Sequence, residues 1–258
     1  MNSKRMPAVF VGHGSPMNAI EDNAFRRAWG DLGRRLPRPK SILCVSAHWE
    51  TRGVALTAMA APRTIHDFYG FPQALFDVRY PAPGDPALAE RVATLLTAHK
   101  PVLDTQWGLD HGAWSVLIAM YPKADIPVVQ LSIDTSKPGA YHYGIGQALK
   151  TLRDEGVLIL GSGNIVHNLR LFDFRAPATP EWATRFDALV KQRIGAHAHD
   201  ELIAFEAMGA DARLAIPTAE HYLPLLYVLG AKYPDESATF FNETVISAIS
   251  MTSVVIGG

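Results

Sequence analysis

The sequence predicts an α/β fold in which β-strands are buried between layers of helices. Short apolar runs alternate with amphipathic stretches along most of its length. Of 258 residues, 48% are hydrophobic, enough to build one large core. No internal repeat, low-complexity tract or linker interrupts the pattern, so residues 1–258 read as a single domain.

The first strand is the run Ala8 to Val11. A helix follows, with Phe25, Ala28, Trp29, Leu32 and Leu36 at helical spacing and Arg26, Arg27, Arg34 and Arg35 on a solvated face. Ser41 to Ala47 and Val54 to Met59 are the next strands. Asp85 caps a helix that has Pro86 at its first position and Leu88, Val92, Leu95 and Leu96 on one face. Strands at Pro127 to Ile133 and Val157 to Leu160 enclose a helix from about Ala140 to Arg153. A further helix carries Trp182, Phe186, Leu189 and Ile194. Pro224 is tolerated only in a first turn, so a helix should start near His221 and run to Leu229, with Gly230 to end it. The tail from Thr239 to Ile256 reads as one or two strands, which makes part of the sheet antiparallel.

Lys and Arg number 24 against 25 Asp and Glu, a formal charge of -1, so nothing attracts the chain to nucleic acid or to an anionic membrane surface. Its expected partner is a small molecule, and its expected state is a monomer or small homo-oligomer. The lone cysteine, Cys44, lies in the apolar run Ile42 to Val45 and behaves as a core hydrophobe. No signal segment is visible, and the stretch Tyr222 to Ala231 is about half the ~20 residues of a membrane span. The chain reads as cytoplasmic.

Familiar motifs are missing. Gly12-His13-Gly14-Ser15-Pro16-Met17 matches a dinucleotide fingerprint only at its first two glycines. Walker A, Gly-x-Ser-x-Gly, His-Glu-x-x-His and Cys-x-x-Cys patterns do not occur.

Histidine carries the signal. Among ten histidines, His13 follows the first strand, His48 stands at the exit of the second, and His167 follows the strand ending at Leu160. Ligands in open α/β sheets gather beyond the carboxyl ends of the strands, so three remote histidines can meet there, as a metal site requires. His111 and His221 stand at expected helix starts, from which a side chain can point into the same crevice. Taken singly, any of the five is more often a structural, hydrogen-bonded histidine than a ligand. Together they point to a cluster suited to metal binding and proton transfer. His99, His142 (in a tyrosine-flanked loop), His197 and His199 read as surface or structural residues. His66 belongs to an aromatic loop that either lines a pocket or covers the core.

Five separated motifs then resemble the class III extradiol ring-cleavage dioxygenases, and among these the DOPA 4,5-dioxygenase (LigB-like) branch. They are Gly12-His13-Gly14-Ser15-Pro16, Ser46-Ala47-His48-Trp49-Glu50, His66 to Pro72, Leu109-Asp110-His111-Gly112 and Pro217-Thr218-Ala219-Glu220-His221. The resemblance implies a three-layer α/β domain with a mostly parallel or mixed central sheet, and one mononuclear metal, Fe(II) for oxygen chemistry with Zn(II) a common occupant. It carries the two ligand histidines onto His13 and His48 and the acid/base histidine onto His167, which in a zinc-filled site could become a fourth ligand. His111 matches a second pocket histidine.

His221 falls where relatives place a ligand glutamate, so the third ligand would be neutral unless Glu220 replaces it. The implied reaction inserts both atoms of O2 into a catechol such as DOPA and opens the ring beside the diol to a muconic semialdehyde. His66, Tyr69, Trp49 and Trp107 are the expected substrate contacts. Two rival readings of the same residues are a zinc-dependent hydrolase of an amide or ester and a non-enzymatic binding protein on the same fold.

Overall fold

The protein is described by a computed structural model covering residues 5–173 and 178–257. The chain runs through β1 (Ala8–Gly12), α1 (Ala24–Arg35), β2 (Ser41–Glu50), β3 (Ala55–Thr57), α2 (Gln73–Phe76), α3 (Pro86–Leu95), β4 (Val102–Asp104) and α4 (His111–Met120). It continues through β5 (Val128–Ile133), α5 (Gly139–Leu149), β6 (Val157–Gly163), α6 (Glu181–Gly195), α7 (His199–Ile203), α8 (Ala210–Ala215) and α9 (Leu223–Gly230). The last elements are β7 (Ala238–Phe241), β8 (Val245–Ile246), β9 (Ile249–Ser250) and β10 (Ser253–Ile256).

Eight strands form one mixed sheet in the order β4-β3-β5-β2-β6-β1-β10-β7. Its centre, β5-β2-β6-β1, is parallel throughout. The flanks are antiparallel where β3 meets β5 and where β10 meets β1.

Alternation along the central strands explains the layers. Ala8 and Phe10 of β1, Leu43 and Val45 of β2, and Ile159 of β6 face a core shared with α3, α5, α6 and α9. Val9 and Val11, Ile42 and Cys44, and Leu158 and Leu160 point the other way, into a second core with α1 and α4. A parallel sheet covered on both faces needs apolar side chains at every position, which is why these runs show no polar alternation in the sequence.

Helix starts follow capping chemistry. Asn23, Asp85 and Asp110 accept the backbone N–H of Arg26, Leu88 and Ala113 respectively. On the exposed face of α1, Arg27 pairs with Asp22 at 2.7 Å and Arg34 with Asp31, as expected of a solvated stripe.

Several boundaries differ from expectation. β2 runs on to Glu50, so His48 lies inside the strand, in a stretch where the register against β5 shifts between Val45 and Glu50. Such a break re-aims side chains. His142 is not in a loop: it sits on α5, wholly buried, 2.9 Å from the Tyr227 hydroxyl. Leu189 is not among the buried residues of α6; Ala183, Phe186, Val190 and Ile194 are. The tail supplies both β7 and β10, plus the separate β8–β9 hairpin. β4, α2, α7 and α8 are too short to show a periodicity in sequence. Among the described residues no helix is long and apolar enough to cross a membrane.

Candidate metal centre and active site

The carboxyl ends of β1, β2 and β6 lie side by side, and there the imidazoles converge. His13 follows β1 directly, and its backbone N–H donates to the Gly163 carbonyl at the end of β6 (3.0 Å). The ring centroid of His13 is 5.0 Å from that of His48, 5.9 Å from His111 and 5.3 Å from His221. His48 is 3.9 Å from His111 and 5.1 Å from His221. His167 stacks on His221 at 3.4 Å.

The ligand atoms of His13, His48 and His111 lie within 4.8 Å of one another, and those of His167, Glu220 and His221 form a second such set beside them. His13 Nε2 and His48 Nε2 are 3.2 Å apart. Two donors sharing one ion at the usual ~2.0–2.1 Å metal–nitrogen distance sit about that far apart, so the residues present fit a metal.

Local sequence permits this closeness. A Cβ on Gly112 would come 2.4 Å from Ser46 Oγ and 2.8 Å from the His48 ring, so only glycine lets α4 approach β2 here. A Cβ on Gly163 would come 2.1 Å from the His221 carbonyl oxygen, which instead accepts the Asn164 N–H at 2.8 Å. That contact pins the segment between α8 and α9 onto the end of β6.

Each of three rings is held at Nδ1. His221 donates to Glu220 Oε1 (3.0 Å), which also accepts from Thr218 Oγ1. His111 donates to Asp67 Oδ2 (2.9 Å), while Asp67 Oδ1 accepts the His111 backbone N–H. His13 Nδ1 lies 3.0 Å from Ser162 Oγ. The opposite nitrogen, Nε2, is thereby left for the cluster.

Charge follows burial. Burial holds His13 and His48 well below the ordinary imidazole value, and the neighbouring histidines add to the effect. His167 is pushed down to about 3, by burial first and by His221 next, with Glu220 opposing. Neutral imidazoles keep their lone pairs, the form a cation needs. Burial alone would raise the Glu220 carboxyl, but the hydrogen bond and electrostatic attraction of His221, with the backbone and Thr218 hydrogen bonds, together outweigh it and bring the group down to about 2. Asp67 is likewise drawn below the carboxylate range by His111, against the effect of burial.

The aromatic residues expected at the substrate divide. Trp49 is buried beside His48 and stacks on Trp107, planes within 4° of parallel. Trp107 also points Nε1 toward Asp110 (3.4 Å). His66 turns away: its Nε2 donates to the Val78 carbonyl (3.0 Å), and its ring packs among Phe68, Phe76 and Trp114. The ring of Phe68 lies edge-on to His111, whereas Tyr69 is 92% exposed.

Sequence reasoning passed over Asp67 and Ser162, and it weighed Glu220 only as a ligand. The signals were present: an acid beside a histidine in an aromatic loop, and a serine between two glycines closing an apolar strand.

Residues 7–255 match the family model described as the catalytic LigB subunit of aromatic ring-opening dioxygenase. The chain is 53% identical over 264 residues to the 4,5-DOPA dioxygenase extradiol of Escherichia coli (strain K12), covering 100% of this chain and 97% of the relative. It is 39% identical over 241 residues to the protein of the same name from Beta vulgaris, covering 91% and 90%. A crystal structure of the uncharacterized protein JW3007 from Escherichia coli K12 superposes with a TM-score of 0.87 at 48% identity, covering 98% of this chain and 100% of that one.

Proposed function

The chain belongs to the family of the catalytic LigB subunit of aromatic ring-opening dioxygenases, and from that premise we propose that it opens a catechol of the DOPA type beside the diol, using Fe(II) and O2. The observation that carries the reading is the convergence of imidazoles, with His13 Nε2 and His48 Nε2 3.2 Å apart, at the carboxyl ends of parallel strands. His13, His48 and His221 would hold the ion, Glu220 acting on His221 Nδ1 rather than as a ligand. A bound Fe(II) supplies the means of passing electrons from an anionic catechol to dioxygen.

The chain's own groups do the rest. His167 makes no side-chain hydrogen bond among the described residues, and as a neutral imidazole it is the group to take a proton from a catechol hydroxyl. The charge this creates lies against His221, whose Nδ1–H is bound to the ionised Glu220, so a carboxylate is close by to offset it. His111, fixed through Nδ1 by Asp67, turns Nε2 toward the cluster to accept a hydrogen bond from the substrate, and His167 gives back the proton it took. Burial of His13 and His111 excludes water from that side, and Phe68, edge-on to His111, offers an apolar surface for the ring.

Loading with Fe(II) without air, then adding DOPA and oxygen, should give equimolar oxygen uptake and a yellow ring-fission product. Activity supported by zinc without oxygen, on an amide or ester, would overturn the reading in favour of a hydrolase.

A further inference from the structure

Ser162 lies on β6, wholly buried, between the glycines that end the strand. Its Oγ is 2.6 Å from the Gly112 carbonyl oxygen and 3.0 Å from His13 Nδ1. A serine hydroxyl has one hydrogen. A carbonyl oxygen can only accept, and two oxygens 2.6 Å apart with no proton between them repel, so that hydrogen is committed to Gly112. Ser162 can then only accept from His13, which must carry its proton on Nδ1.

An imidazole that ligates a metal is neutral and carries one N–H. With the single N–H of His13 spent on Ser162, its lone pair stands at Nε2, the atom 3.2 Å from His48 Nε2. The hydroxyl therefore sets the direction of a two-step relay, from His13 through Ser162 to the first turn of α4.

We infer that Ser162 is a positioning residue that selects the Nδ1–H tautomer of His13 and so presents the Nε2 lone pair to the metal. The inference rests on the proposed metal centre for its consequence, but the tautomer belongs to the metal-free protein. Among the described residues Ser162 is the one side chain hydrogen-bonded to His13 Nδ1. The His13 backbone N–H and carbonyl are engaged elsewhere, with Gly163 and with the Asn18 side chain. Glu220 and Asp67 serve His221 and His111 in the same way, with carboxylates; Ser162 does so without a charge, where the site is most buried.

The test is long-range proton–nitrogen NMR on the metal-free protein, wild type against Ser162→Ala, with Ser162→Cys as the conservative variant. Wild-type His13 should show the Nδ1–H form alone. In Ser162→Ala the Nδ1 proton loses its acceptor and the Nε2–H form should appear, while His221, still bound to Glu220, keeps its wild-type signature in the same spectrum. Zn(II) affinity, read by chelator competition, should fall roughly ten- to hundredfold and recover in part in Ser162→Cys. An Nε2–H His13 in wild type would overturn the inference even if neither variant folds. So would an unchanged tautomer with unchanged Zn(II) affinity in Ser162→Ala. Failure of wild type to bind any metal would instead overturn the proposed function and leave the tautomer result standing.

Discussion

His167 and His221 lie face to face, ring centroids 3.4 Å apart and planes within 9° of parallel. One ring is harnessed by a carboxylate through Nδ1; the other is not. The stack therefore joins a ring fixed for binding to a ring left free for proton transfer, and protonation of the free ring places charge against its neighbour.

This division of labour separates two variants. His167→Ala should lower turnover by roughly 10²–10⁴ while metal content stays near that of wild type, whereas His13→Ala should lose the metal itself. Oxygen-electrode rates beside elemental analysis check both. Equal metal loss in the two would place His167 among the ligands.

Asp67 holds His111 twice, through Nδ1 and through the backbone N–H. Asp67→Ala should reduce turnover roughly ten- to hundredfold with bound metal retained, and Asp67→Asn, which keeps one acceptor, should recover part of the rate. Turnover of the two variants indistinguishable from wild type would show that His111 needs no such anchor.

At Gly163 an added Cβ would strike the His221 carbonyl at 2.1 Å, whereas at Gly195 on α6 it meets nothing within 4 Å. Gly163→Ala should lose about 1–3 kcal/mol of stability together with metal affinity, because relief comes from moving His221. Gly195→Ala should change neither for the worse. Chemical denaturation and chelator competition give the two quantities.

Far from the cluster, the buried Arg153 guanidinium binds both oxygens of Glu236 and the carbonyls of Met6, Ala231 and Ile256. Burial acts to raise the Glu236 carboxyl, but the hydrogen bonds and charge of Arg153, with hydrogen bonds from the Tyr233 backbone and Arg5, together outweigh it and leave the group below its ordinary 4.5. A carboxyl lowered in the folded state contributes stability that is complete above its unfolded value and lost as pH falls through the folded one. Glu236→Ala should therefore cost on the order of 3 kcal/mol at neutral pH. Its gap from wild type should narrow only below about pH 4.5. Melting curves across pH 2–8 decide it: a gap that does not change over that range would exclude the ion pair as its origin.

Much of the centre was legible because its signals are local. An apolar run ending in Gly12-His13-Gly14 announces a strand and the turn that follows, and the four parallel strands lie where such runs occur. His48 was harder to place, since the bulge that carries β2 to Glu50 depends on the register against β5 and leaves no mark in β2 itself. His66 and Tyr69 share a motif with Asp67, yet one turns to Val78, one to solvent, and only the acid reaches His111. Chain adjacency does not say which of three neighbours faces inward.

By itself the sequence determined the α/β class, the strands that carry the site and the histidines available to it, because burial on both faces of a sheet and turns at strand ends are written in short stretches of chain. Only the tertiary structure decided which nitrogen of each ring is free. That choice belongs to the acceptor at the other nitrogen, and for His13 the acceptor lies 149 residues away along the chain.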